Sequence, residues 1–226
     1  MKRLAFFLLA AAVSVSTVTS QDGKAPSQDG KDVSQHGTAP SRDAKVATDA
    51  SLRPFKPEAK LDVLPDATKK LVNQLAKATE ESAKVFEPLS VEQLGFRPPN
   101  GSHTPRWNAE HLRGAALLFV SKYYHSLDER IEVIERMPKQ MPDDYQPAHP
   151  DWDGQKEAAA LRDAKGFVRR YAYLLKDVDM DAEVDAGILP PFFKTPRALF
   201  SGLAGHYQEH TDNVKKKFDA EGWPAN

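Results

Sequence analysis

The chain has 226 residues, of which 40% are hydrophobic and 28% charged, and its formal net charge at pH 7 is −1. This composition is typical of globular proteins, and it lacks the basic excess that favours binding to nucleic acid. Because the chain contains no cysteine, disulfides, thiol nucleophiles and cysteine-based zinc sites are excluded. Any bound metal must therefore use His, Asp or Glu side chains.

Residues 1–20 have the pattern of a secretory signal peptide. Lys2 and Arg3 precede an apolar run from Leu4 to Val13, and small residues continue to Ser20. The apolar run is short for a transmembrane span, although an uncleaved membrane anchor is the alternative interpretation. We expect export to a periplasm, the cell surface or the medium, with no stable membrane span after signal cleavage.

Residues 21–58 predict a disordered, low-complexity linker. A seven-residue unit rich in Gly, Pro, Ser and Asp starts at Gln21, Gln28 and Gln35, and a degenerate copy starts at Arg42. The unit has no paired apolar positions, so it is not a coiled-coil heptad, and it offers nothing to bury. We therefore place the folded domain at residues 59–226.

The first two predicted helices come from spacing and start signals. Apolar residues recur at steps of four and three between Leu64 and Leu89, which indicates a helix from about Pro65 that ends near Pro88. An irregular, turn-rich stretch follows up to residue 101. Thr104-Pro105 is a helix start, with Thr as the N-cap, and predicts a second helix over about residues 105–136.

Two further helices follow after long connections. An apolar stripe from Ala158 to Leu175 predicts a third helix over about residues 154–176, and Thr195-Pro196 begins a fourth that runs to about Glu221. Four amphipathic helices without strand-like alternation predict an all-α four-helix bundle. The connections are long enough to permit a crossover topology.

Two histidines lie one turn apart in the predicted fourth helix. His206 and His210 share one helix face, because residues four apart lie above each other. They occupy positions where the stripe begun by Leu199 and Leu203 calls for apolar residues. A stacked pair of imidazoles suits a shared metal, whereas the alternative is a hydrogen-bonded core histidine beside a half-exposed one.

The domain resembles the DinB-like (DinB/YfiT) superfamily over about residues 60–224. The matching features are Leu89-Ser90-x-Glu92-Gln93-Leu94-x-x-Arg97-Pro98, a second helix that begins with Trp107 and contains His111, and the His206/His210 pair. The resemblance implies an up-down-down-up bundle in which His111, His206 and His210 bind a divalent metal such as zinc, nickel or iron. It also implies a metal-dependent transferase or hydrolase reaction, with no substrate assigned and no catalytic residue named.

Two other functions stay open at this stage. One is a non-catalytic bundle that binds a metal or a partner, with a homodimer through its helices as one form. The other is a zinc peptidase, since His206 to His210 spells H-x-x-E-H with Glu209 as the base, but only 16 residues follow His210 to supply a third ligand. For an enzyme we expect a small-molecule substrate; we expect no nucleic-acid partner in any case.

Overall fold

The computed structural model of the protein describes residues 61–139 and 144–225. The signal peptide predicted at residues 1–20 and the linker predicted at residues 21–58 lie outside the described residues. Within the described ranges the chain is all-helical, with five α-helices and no β-strand. None of these helices has the length and apolar character that a membrane crossing requires.

The helices are α1 (Asp66–Phe86), α2 (Val91–Gly95), α3 (Pro105–Leu127), α4 (Gly154–Arg170) and α5 (Pro196–Lys215). Short 3-10 helices cover Leu61–Val63 and Ala172–Leu175. Four of the five α-helices are long, and their positions agree with the four helices that the sequence predicts. The fifth, α2, is a single short helix that the sequence analysis assigned to an irregular stretch.

The two Thr-Pro pairs begin helices as predicted. The Thr104 hydroxyl accepts a hydrogen bond from the Trp107 backbone N–H at 3.1 Å, and the Thr195 hydroxyl accepts one from the Ala198 N–H at 3.1 Å. Each bond satisfies one of the backbone donors that a helix N-terminus leaves without a partner. These caps fix where α3 and α5 start, and therefore on which turn each histidine falls.

The second predicted helix was too long, because α3 ends at Leu127 and not at residue 136. Asp128 adopts an extended backbone and accepts hydrogen bonds from the Arg130 N–H at 3.1 Å and the Arg130 guanidinium at 2.9 and 2.7 Å. These local bonds compete with helix continuation. The segment of residues 128–139 then turns back along α3, where the Ile134 N–H donates to the Ser121 hydroxyl at 2.8 Å.

Three smaller boundaries also differ from the prediction. A capping box between Ser90 and Gln93 starts α2 inside the stretch expected to be irregular. The third helix ends at Arg170, and the 3-10 helix Ala172–Leu175 replaces its predicted last turn. The last helix ends at Lys215, and residues up to 221 form tighter turns with i→i−3 hydrogen bonds instead.

The four long helices pack in the pairs α1–α4, α1–α5, α3–α4 and α3–α5. Helices α3 and α4 run in the same direction, because Arg106 pairs with Glu157 near their starts and the Tyr124 hydroxyl donates to the Val168 carbonyl at 2.8 Å near their ends. Most of α3 is buried, so this helix is central and can present side chains to several neighbours.

Helices α1 and α4 run in opposite directions. The Arg162 guanidinium donates to Glu87 at 2.9 Å near the end of α1, whereas Arg169, further along α4, donates to Asn73 at 3.1 Å near its start. Gly154 begins α4 directly against the end of α1, where a Cβ atom would lie 2.1 Å from the Phe86 carbonyl oxygen. Only glycine permits this approach.

Candidate metal site

The structure brings together the three histidines that the sequence analysis named. His111 lies in the second turn of α3, and His206 and His210 lie one turn apart on α5. One ring nitrogen from each residue lies within 4.8 Å of the others. Nitrogens bound to one tetrahedral zinc ion are about 3.3–3.4 Å apart at Zn–N bonds of about 2.0–2.1 Å. The three rings are thus close enough to hold a metal after small side-chain rotations.

The packing of the three rings agrees with this distance. The centroids of His111 and His206 are 5.0 Å apart, those of His111 and His210 4.8 Å, and those of His206 and His210 4.3 Å. His111 is 7% exposed, and its Nδ1 is buried without a hydrogen-bond partner. A buried polar atom without a partner costs free energy, so this nitrogen fits a role in which a cation or a solvent molecule satisfies it.

A family model described as the DinB superfamily matches residues 74–212. The chain belongs to the DinB superfamily. The match covers more than half of the chain, begins within α1, ends within α5 and includes all three histidines, so the resemblance seen in the sequence is confirmed. A search of curated proteins and a search of solved structures gave no match.

Asn108 orients His210, one of the three candidate ligands in this DinB-superfamily chain, and the sequence analysis did not identify it. Its Nδ2 donates to the Thr104 carbonyl at 2.8 Å, which turns its Oδ1 toward Nδ1 of His210 at 2.7 Å. An amide oxygen can only accept, so Nδ1 of His210 carries the proton and Nε2 keeps its lone pair for a metal. The available signal was a polar residue on the buried α3 face, one turn before His111.

Trp107 forms the wall of the site on the α3 side. Its indole stacks on His111 at a centroid distance of 4.4 Å and on His103 at 3.6 Å, with interplanar angles of 10° and 9°. The indole N–H donates to the Lys139 carbonyl at 2.8 Å. Trp107 is 2% exposed, so it is at once a core residue and the wall that holds the His111 ring in position.

Burial keeps the three rings neutral. It lowers the pKa of His111 to about 3, with the charges of His206 and His103 acting in the same direction. Burial also lowers the pKa of His206 to about 4 and that of His210 to about 2, where the neighbouring histidines and Lys217 contribute further. Metals bind the neutral imidazole, so at pH 7 all three side chains are ready to coordinate without first losing a proton.

His125, His149 and Glu209 are not part of this group. His125 Nδ1 bonds the Ile131 carbonyl at 2.7 Å near the far end of α3, and His149 stacks on Trp152 at 3.8 Å. Glu209 is exposed, and no carboxylate among the described residues joins the three histidines as a ligand. The zinc-peptidase alternative, which needs Glu209 as a base, therefore gains no support from the geometry.

The acidic loop between residues 177 and 185 is joined to the start of α5 by an ion pair. Asp181 forms two hydrogen bonds with the Arg197 guanidinium, at 2.6 and 2.8 Å, and both side chains are partly exposed. No metal-binding group was found in this loop among the described residues.

Proposed function

We propose that this DinB-superfamily chain is an exported metalloprotein that binds one divalent metal through His111, His206 and His210. The observation that supports the proposal is the meeting of the three ring nitrogens, within 4.8 Å, from two separate helices. Three neutral imidazoles suit zinc, nickel or iron(II). Export rests on the predicted signal peptide at residues 1–20.

The proposed architecture is an up-down-down-up four-helix bundle made of α1, α3, α4 and α5. Its support is the set of helix directions: α1 and α4 are antiparallel, and α3 and α4 are parallel. Helices α3 and α5 are antiparallel, because His111 early in α3 meets His210 late in α5 while Phe119 further along α3 meets Phe193 just before α5. In this arrangement α1 and α5 point the same way.

The proposed activity is a metal-dependent transfer or hydrolysis on a small molecule. Three protein ligands leave coordination positions open, as in catalytic metal sites. When bound, the metal would supply Lewis acidity toward a substrate atom or water. The chain itself holds His210 in one tautomer through Asn108, fixes His111 against Trp107, and excludes bulk water from the buried side of the three rings.

Metal content tests this proposal. Full-length protein should purify with, or take up, about one divalent metal per chain, and His210→Ala should lose it. The matched control is His125→Ala, which removes a histidine of α3 outside the group and should leave the metal content unchanged. Equal metal content in the wild type and His210→Ala would overturn the proposed centre.

A non-catalytic metal-binding bundle is the second candidate, and one observation favours it. None of the carboxylates in the described residues joins the three histidines, so an acid or base beside the metal has not been identified. Cobalt(II) substitution separates the two candidates. A catalytic centre with open positions should change its visible absorption on addition of azide, whereas a closed binding site should not.

A further inference from the structure

A cavity of about 400 Å³ lies beside the segment that leads into α3, and none of the three candidate metal ligands lines it. Its wall is formed by residues 97–99 and 101–104 together with Tyr145. The volume is within the usual range of small-molecule sites, roughly 300–1,000 Å³. The proposed metal site does not use this space, so the chemistry of the wall decides what kind of molecule the cavity suits.

The charge at this wall is of one sign. Arg97 is the charged residue of the lining, and the described residues that line the cavity include no Asp or Glu. Arg97 is exposed and forms no hydrogen bond or ion pair within residues 61–139 and 144–225. The positive end of the α3 dipole lies at the same place, because Thr104 is the N-cap of this 23-residue helix. The cavity therefore favours a negative ligand over a positive or neutral one.

A buried ammonium group next to the wall adds to the positive potential. Lys217 is 6% exposed, and its Nζ donates to the Ser102 hydroxyl at 3.3 Å and to the Asn213 carbonyl at 3.1 Å. No carboxylate of the described residues forms an ion pair with it, and burial together with the Lys216 charge lowers the pKa of Lys217. A buried charge without a counter-ion is costly. An anion bound against Ser102 would bring the missing opposite charge close.

Ser102 connects this ammonium group to the cavity. It lines the cavity and is exposed. Its hydroxyl oxygen accepts the hydrogen bond from Lys217, so its own O–H is left to donate elsewhere. Arg97 and Ser102 thus both offer donors to the space, and neither finds an acceptor for them in the described part of the chain. Because the guanidinium fork matches two oxygens of a carboxylate or phosphate, this pair suits an oxyanion.

The rest of the wall is mainly flat and apolar. Pro98, Pro99 and the ring of Tyr145 line it. His103 adds its imidazole, which stacks on Trp107 at a centroid distance of 3.6 Å. Burial lowers the pKa of His103, with the Lys217 charge acting in the same direction, so this ring is neutral at pH 7. Such surfaces suit an apolar or aromatic body attached to the anionic group.

We propose that this cavity binds a small organic anion, an oxyanion head group on an apolar body, independently of the metal centre. Arg97 and Ser102 hydrogen-bond the head group, and the Lys217 ammonium stabilises its charge through Ser102. The two prolines and the tyrosine ring contact the apolar body. A carboxylate and a phosphate ester share this chemistry, and the choice of probes distinguishes them.

Calorimetric titration of the full-length protein with benzoate, phenyl phosphate, benzyl alcohol and benzylamine tests the ligand class. At least one of the two anions should bind at least about tenfold more tightly than the neutral and cationic probes, and the tighter anion identifies the head group. Arg97→Gln should weaken its binding about tenfold or more, and Arg97→Lys should weaken it less because the charge remains. Ser102→Ala should weaken it about threefold to tenfold.

Two controls make the result specific. Arg170→Gln removes another exposed arginine, at the end of α4 and outside the lining, and should leave binding unchanged. His210→Ala should bind the anion like the wild type, because an anion held by the metal would be lost with the metal. The proposal is overturned if benzyl alcohol or benzylamine binds as tightly as the anions, if both Arg97→Gln and Ser102→Ala bind normally, if His210→Ala abolishes binding, or if no probe binds.

Discussion

Removal of the Asn108 side chain should weaken metal binding without removing any ligand. The Asn108 Oδ1 accepts a hydrogen bond from the His210 Nδ1–H at 2.7 Å, and the Asn108 Nδ2 donates one to the Thr104 carbonyl at 2.8 Å. Loss of such a partner to a metal-binding histidine typically costs 10–100-fold in metal affinity, which corresponds to about 1.4–2.7 kcal/mol. We expect Asn108→Ala to lose zinc affinity by a factor in this range. Competition with a chromogenic chelator at pH 7.5 measures the affinity.

The controls separate orientation from folding. Asn108→Asp keeps an acceptor for the hydrogen bond from His210, so its metal affinity should be closer to that of the wild type than the affinity of Asn108→Ala is. His210→Ala should lose binding altogether, and far-UV circular dichroism should show that all three variants stay helical. If folded Asn108→Ala binds zinc as tightly as the wild type, then Asn108 does not orient His210 and the assigned tautomer is wrong.

Three further predictions concern stability. With a chelator present, the free energy of unfolding should fall as pH drops below about 6.5, because the unfolded chain takes up protons on the three histidines whose folded pKa values burial lowers to between about 2 and about 4. Glu157 acts in the opposite direction, since burial raises its pKa to about 7, so Glu157→Gln should steepen this loss in urea titrations across that pH range. Gly154→Ala should destabilise the fold by about 1–3 kcal/mol or more through the clash with α1, whereas Gly205→Ala, which meets nothing within 4 Å, should stabilise α5 by up to about 1 kcal/mol; equal melting temperatures would contradict this. Arg106→Met should cost about 3–5 kcal/mol, because it leaves the Glu157 carboxylate and two carbonyls buried without their donor, and a small loss in chemical denaturation would disprove that role.

The helices and the His206/His210 pair were predictable because both depend on short sequence spacings. Steps of three and four define the α1 stripe, and the same geometry puts His206 and His210 on one face of α5. The Thr-Pro pairs located the starts of α3 and α5 to the residue. The proximity of His111 to that pair is a long-range contact, and it was predicted from the family resemblance and not from spacing.

The end of α3 could not be predicted from periodicity. Residues 128–136 continue a mixture of charged and branched apolar residues that suits a helix face. The helix nevertheless ends at Leu127, where the Asp128–Arg130 hydrogen bonds compete with its continuation. Gly114 then matters, because a Cβ atom there would lie 2.7 Å from the Arg136 carbonyl oxygen of the returning segment. A glycine inside a helix gives no sequence signal about which distant segment crosses it.

Asn108 was missed for a related reason. It acts through a hydrogen bond to a residue 102 positions away in the chain, and such a contact produces no periodic pattern. Local spacing predicted the His206/His210 pair and the family resemblance added His111, whereas the residue that orients His210 required the three-dimensional structure.

The stack of Trp107 between His103 and His111 should make its fluorescence a reporter of metal binding at the candidate site. Indole emission responds to a charge or a paramagnetic ion nearby, and this ring lies face to face with a candidate metal ligand at a centroid distance of 4.4 Å. Copper(II) or nickel(II) loading should quench that fluorescence, and Trp107→Phe should remove the response while Trp152 and Trp223 continue to emit. Metal occupancy could then be followed in real time without any added dye.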